Sequence, residues 1–154
     1  MSMIPENVRK ILEANGLEAL EFEPGSTPTA ETAARRIGVQ TGQIAKSIVL
    51  AGKDGKFRIV ILAGDKKLSN AKLKALFGVY ASMARPEDTF RVTGFRPGSV
   101  CPFFDTEGLD IYIDKSLKAY QTVYPAAGTD SSGVPVTFEK LQSITGAALC
   151  DVAE

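Results

Sequence analysis

The sequence predicts an α+β domain built around a mixed, strongly curved sheet, on three observations. Helical periodicity lies mostly toward the ends of the chain, strand-like runs lie mostly in its middle, and two long apolar runs, 43–50 and 57–62, flank a Lys53-Asp54-Gly55-Lys56 turn. With 154 residues and 44% hydrophobic content, the chain suits one domain, 1–154, with a single sizeable core.

Each element has a local reason. A first helix is expected from Pro5, with Val8, Ile11 and Leu12 on one face and Asn15-Gly16 as its stop. A short strand near Leu20-Glu21-Phe22 follows, and Glu23-Pro24-Gly25 turns the chain into Thr29. That residue is a good N-cap for a helix with Glu31 in its first turn, Arg35 and Arg36 in its last, and Gly38 beyond. After the hairpin, Ser69 or Asn70 caps a helix through Leu73, Leu76 and Phe77 to Gly78, and a strand is expected near Val79-Tyr80-Ala81. Pro86-Glu87-Asp88 opens a further helical segment that ends at Gly94. Runs at 109–114, 121–125 and 134–137 read as strands, before a last helix with Phe138, Leu141 and Ile144 inward.

Eighteen basic residues balance eighteen acidic ones, so no global field draws in nucleic acid, and DNA is not an expected partner. A nucleic-acid contact has to use a local patch. The candidates are Arg35, Arg36, Lys66, Lys67, Lys72 and Lys74, in clusters that are more often solvated helix faces. The absence of histidine excludes Ser-His-Asp and Cys-His catalysis and His-containing zinc sites. Cys101 and Cys150 read as separate reduced thiols, so neither metal nor cofactor is expected. Residues 1–6 lack the features of a signal peptide and no run approaches a membrane span, which leads us to expect a cytoplasmic protein.

Two segments carry chemistry. Lys46 lies inside the apolar run Gln43-Ile44-Ala45-Lys46-Ser47-Ile48-Val49-Leu50. A desolvated ammonium is costly, so this lysine either snorkels to solvent or faces an anionic or carbonyl-bearing ligand. Further on, Thr93-Gly94-Phe95-Arg96-Pro97-Gly98-Ser99-Val100-Cys101-Pro102-Phe103 reads as a rigid irregular loop whose glycines permit unusual backbone angles or the close approach of another group.

Taken in order, Ala45 to Leu50, the Thr93-Gly94 to Pro102-Phe103 loop, Ile111-Tyr112-Ile113-Asp114-Lys115-Ser116-Leu117 and Ala126-Ala127-Gly128-Thr129 resemble the YbaK and prolyl-tRNA synthetase insertion-domain family, over about residues 23–141. The resemblance implies a partly closed, barrel-like sheet and an aminoacyl-tRNA deacylase that acts in trans on mischarged tRNA. It marks Lys46 as the residue most tied to activity. It also implies a pocket shaped by Gly94, Gly98, Ser99 and Pro102, with Gly128 beside it, and a reaction that leans on the substrate's own ribose hydroxyl. The implied partner is the acceptor end of tRNA, with proline tRNA leading, and prolyl-tRNA synthetase is a second one. Asp130 stands where some relatives place a histidine. It either reads the substrate's α-ammonium or a hydroxyl, or is an ordinary aspartate of the Asp130-Ser131-Ser132-Gly133 turn.

Without a base, Ser47 and Ser99 are hydrogen-bonding groups rather than nucleophiles, and Cys101 reads as a small buried hydrophobe. Glycine and proline walls suit a small side chain such as that of alanine, serine or cysteine. Two other classes stand beside the deacylase. One is a non-catalytic module that binds aminoacyl-tRNA or a synthetase, and the other is a nucleic-acid-binding regulator, which zero net charge disfavours.

Overall fold

The computed structural model of the protein describes residues 2–154; Met1, part of the opening segment read above, lies outside them. Helix α1 (Glu6–Ala14) buries Val8 and Leu12, and Pro5 occupies its N-cap with ψ 146° rather than the first helical position. Strand β1 (Leu20–Glu21) leads into α2 (Ala30–Ile37), where the Thr29 hydroxyl accepts the Thr32 N–H and Gly38 ends the helix. A 3₁₀ turn, Thr41–Gln43, delivers the chain to β2 (Ala45–Gly52), which pairs antiparallel with β3 (Phe57–Ala63) from Ala45–Ala63 to Ala51–Phe57. Helix α3 (Asn70–Phe77) is capped by Ser69, and β4 (Ala81–Met83) then pairs with β2 at Leu50, Ala51 and Gly52. Helix α4 (Pro86–Thr93) carries proline in its first turn, where a missing N–H costs nothing. Strand β5 (Asp110–Asp114), a 3₁₀ turn at Lys115–Ala119, β6 (Ser132–Gly133), α5 (Phe138–Thr145) and β7 (Ala148–Cys150) complete the chain.

The main sheet has the order β4-β2-β3-β5-β7, and β1 pairs with β6 in a separate ribbon. It is mixed: the β2–β3 and β2–β4 pairs are antiparallel, whereas β3–β5 and β5–β7 are parallel. It is also open, with β4 and β7 as its two edges, so the barrel-like closure expected from the resemblance is only a loose description. Alternation along β2 and β3 supplies two cores. Ala45, Val49, Ile59 and Ile61 pack with α1, α5 and the glycine-loop phenylalanines on one face; Leu50, Val60 and Leu62 pack with Leu73, Cys150 and Val152 on the other.

Three expectations shift. The strand expected at 79–81 starts at Ala81, because Gly78 closes α3 in the left-handed conformation and Tyr80 is exposed. The runs at 121–125 and 134–137 form no named strands: they bridge each other at Val123–Val136, and the first run bridges Ile44 at Tyr124, since Pro125 and Pro135 cannot donate to a ladder. Strand β7 has no local sequence signal. It is fixed by tertiary bonding, with fully buried Asp114 accepting the Val152 N–H at 2.7 Å and the Ser116 N–H at 2.9 Å.

Candidate functional site

A cleft of about 540 Å³ opens beside β2. Its walls come from the segment leading into α2 (Thr27, Pro28, Ala30, Ala33), the start of α3 (Lys66, Lys67, Asn70, Leu73), and Gly98 and Val100 of the glycine loop. Strand β2 contributes Ala45 to Ile48 and Leu50, so the cleft wraps one margin of the strand and meets both of its faces.

Lys46 is half-buried in that wall. Its Nζ donates to the Lys66 carbonyl at 2.6 Å and more weakly to the Gly64 carbonyl at 3.4 Å, which leaves one of three N–H donors for another acceptor. Burial pushes its pKa below the ordinary lysine value, partly opposed by the charges of Glu31 and Asp65. Gly64 is needed beneath it: an added Cβ would lie 2.5 Å from the Thr41 carbonyl oxygen. In the same cleft, Gly98 has φ +88° and lies so close to the chain that an added Cβ would be 3.3 Å from the Pro28 carbonyl oxygen. Two segments fifty residues apart in the sequence reading thus share one cavity.

The other sequence candidates do not line it. Gly94 closes α4 at φ 81°, its N–H donating to Phe90, and so aims the loop rather than facing the cleft. Ser99 forms a tight turn, with its N–H on the Arg96 carbonyl at 2.9 Å, and Pro102 is buried beneath the loop. Gly128 belongs to the far side, where a Cβ would meet Phe95 Cε1 at 2.9 Å and the Pro5 ring. Asp130 is a staple between loops: its carboxylate accepts the Gly25 N–H at 3.1 Å and its carbonyl accepts the Thr27 N–H at 2.7 Å. It therefore shapes the wall that carries Thr27 and Pro28 instead of presenting a carboxylate to the cavity.

The basic residues separate in the same way. Arg36 is engaged by Glu23 at 2.9 Å and stacks on Phe22, Lys72 is paired with Asp151, and Lys74 sits 4.4 Å above the Tyr80 ring. Lys66 and Lys67 line the cleft and make no salt bridge among the described residues. What the sequence reading missed is the contribution of Thr27, Pro28, Asn70 and Tyr124, whose only local signals are turn and cap chemistry. Both thiols are buried and pushed up to about 12, Cys101 by burial and Cys150 by burial together with Asp114, so neither is a nucleophile here. Among the described residues, no cluster of three or more His, Cys, Asp or Glu could hold a metal ion, and no helix is long and apolar enough to cross a membrane.

The fold and site define an α+β domain with a cation-bearing cleft on an open mixed sheet, and comparison with known proteins makes the class specific. Residues 24–144 match the aminoacyl-tRNA editing domain, and the chain belongs to that family. A crystal structure described as a candidate trans-editing enzyme for prolyl tRNA synthetase superposes with a TM-score of 0.89 at 34% identity, covering 100% of this chain and 99% of the other. The uncharacterized protein YwhH of Bacillus subtilis is 38% identical over 128 residues, 83% of this chain and 81% of its own. A proline--tRNA ligase of Staphylococcus saprophyticus is 30% identical over 111 residues, 71% of this chain but 19% of the ligase, so the chain corresponds to about a fifth of that enzyme.

Proposed function

We propose that the chain, 1–154, is a cytoplasmic deacylase that acts in trans on mischarged tRNA, with proline tRNA carrying a small amino acid such as alanine, serine or cysteine as its leading substrate. The observation that carries this reading is the Lys46 ammonium, held at the cleft wall by two neutral carbonyls with a donor to spare, in a cleft that Gly98 also lines. In the reaction water adds to the aminoacyl ester carbonyl, the bond to the terminal ribose oxygen breaks, and that oxygen leaves with a proton, giving free amino acid and tRNA. Lys46 donates to an oxygen of the ester or of the adjoining phosphate, a charge-assisted bond that strengthens as negative charge develops. With no histidine in the chain, proton transfer falls to water and the substrate's neighbouring ribose hydroxyl.

Lys66 and Lys67 at the start of α3 supply the local positive rim that a chain of zero net charge needs for the acceptor-end phosphates. Gly98 keeps one wall flat, Gly94, Ser99 and Pro102 hold the loop that carries it, and Gly128 and Asp130 fix the neighbouring loop. The test is a panel of tRNAs, each charged with one small amino acid and assayed for release of free amino acid. Fastest release from mischarged proline tRNA is expected. Binding of the whole panel without release from any member would establish the non-catalytic module instead.

A further inference from the structure

The edge of β2 beside Ser47 is left without a strand. Strand β4 covers β2 only at Leu50, Ala51 and Gly52, with one more bond from the Ala84 N–H to the Val49 carbonyl at 2.9 Å. A further antiparallel pair in the same register would set Pro86 opposite Ser47, but proline has no N–H to give and instead opens α4. Beyond the gap, the Ala45 N–H is taken by the Tyr124 carbonyl at 3.2 Å. Alternation fixes where the Ser47 main chain points. Gly52 donates toward β3, to Lys56, whereas Lys53 donates to Tyr80 beside β4, so the N–H and C=O of Ala45, Ser47 and Val49 all face away from β3. Ser47 therefore presents a donor and an acceptor to the cleft that it lines, and neither has a hydrogen-bond partner among the described residues. Its hydroxyl is buried and unpartnered, so what the cleft sees of this half-buried residue is its main chain and Cβ.

We propose that the substrate's aminoacyl group fills this gap as a one-residue antiparallel strand, its α-ammonium donating to the Ser47 carbonyl while the Ser47 N–H donates to the ester carbonyl oxygen. An α-amino ester carries that donor and acceptor at the spacing of one residue of a β-ladder, which makes the match independent of the side chain. The pairing also sets direction. Running on from β4, the docked residue points its ester toward the Ala45 end of β2, where the Gly64 and Lys66 carbonyls hold Lys46 and the rim lysines begin. Its side chain falls on the face of Ser47, against Val100 and Ala126, which leaves room for a small group.

This inference rests on the deacylase reading and can fail separately from it. Ser47→Pro removes an N–H that makes no bond in the fold, and is expected to lose at least about a hundredfold. Should the proline variant not fold, binding to the unmodified protein decides the matter. The probes are 3′-deoxy-3′-(L-alanylamino)adenosine and its propionylamino counterpart, which lacks the ammonium, each titrated while the amide resonances are followed by NMR. A downfield shift of the Ser47 amide proton that is the largest in the cleft, and binding at least about tenfold weaker for the propionylamino compound, are expected. If the alanylamino compound moves Gly98 and Lys46 but leaves the Ser47 amide in place, or if both compounds bind alike, the clamp is wrong and the deacylase reading stands. If neither compound binds and no tRNA of the panel is deacylated, the deacylase reading falls and takes the clamp with it.

Discussion

The two ends of the β2–β3 hairpin each draw a cation out of water, Arg58 fully and Lys46 by half, and they treat it in opposite ways. Near the turn, Arg58 is 6% exposed, bonded to both oxygens of Asp54 at 3.2 and 2.8 Å, and stacked 4.6 Å from the centre of the Phe77 ring. The guanidinium in turn holds the Asp54 carboxyl at about 2. At the other end Lys46 has only carbonyl hydrogen-bond partners, and burial lowers its pKa, outweighing the more distant charges of Glu31 and Asp65. A buried cation already satisfied by a carboxylate is part of the scaffold. One held by neutral dipoles keeps its charge available for an incoming anion or a developing one.

Exchanging these roles should expose the difference. The largest expected effect is on chemistry: Lys46→Ala should lower deacylation about a hundredfold, about 2.7 kcal/mol of transition-state stabilisation, while circular dichroism and the melting temperature stay near the parent values. Lys46→Arg should also be impaired, since a planar fork does not reproduce a point ammonium. A Lys46→Ala protein that cleaves at the parent rate removes this lysine from the mechanism. Next in size is Arg58→Ala, which should cost about 2 kcal/mol of stability in urea unfolding by losing stem packing, the ring contact and two charged hydrogen bonds. Its deacylation at low temperature should match the parent, and a selective loss of activity without loss of stability would contradict a scaffold role.

The remaining two effects are linked to pH and are smaller. Asp54 titrates at about 2 in the folded protein against an ordinary 3.8, so the unfolded chain binds more protons between those values. Its stabilising contribution is complete above the ordinary value and should fade as pH falls toward 2, a fade that Arg58→Ala should abolish in acid unfolding curves. Lys46 gives a slope of the same sign at the alkaline end, although its lowered pKa marks a charge that the fold disfavours. Between its lowered folded pKa and the ordinary 10.5 the unfolded chain again binds more protons, so stability should rise with pH through that window. Lys46→Met should flatten this alkaline slope and be at least as stable as the parent at neutral pH, and an unchanged slope would argue against desolvation as the cause.

Much of this arrangement was legible where the signal is local. Thr29, Ser69 and Gly94 act as the caps their residue types suggest, and the paired apolar runs around Asp54-Gly55 form the expected hairpin. Lys46 and Gly98 stood out because a charge in an apolar run and a glycine between prolines each break a local rule. Asp130 was ambiguous because a turn aspartate looks the same whether its carboxylate faces a ligand or, as here, the Gly25 amide 105 residues away in sequence. The open edge at Ser47 was illegible for a related reason. Pro86 is plain in the sequence, but that it falls opposite Ser47 depends on how β4 registers against β2, which only the assembled sheet decides.

An unpaired strand margin ordinarily invites other strands, and with them self-association. Here the bare stretch is bounded on one side by the Tyr124 carbonyl and on the other by Ala84, and it lies within a cleft that lysines rim. Adhesion between extended chains needs several consecutive residues in register, about six or seven in the segments that stack most tenaciously. A gap that admits one residue cannot seed that growth. The same proline that exposes the edge keeps it too short for a neighbouring strand to use.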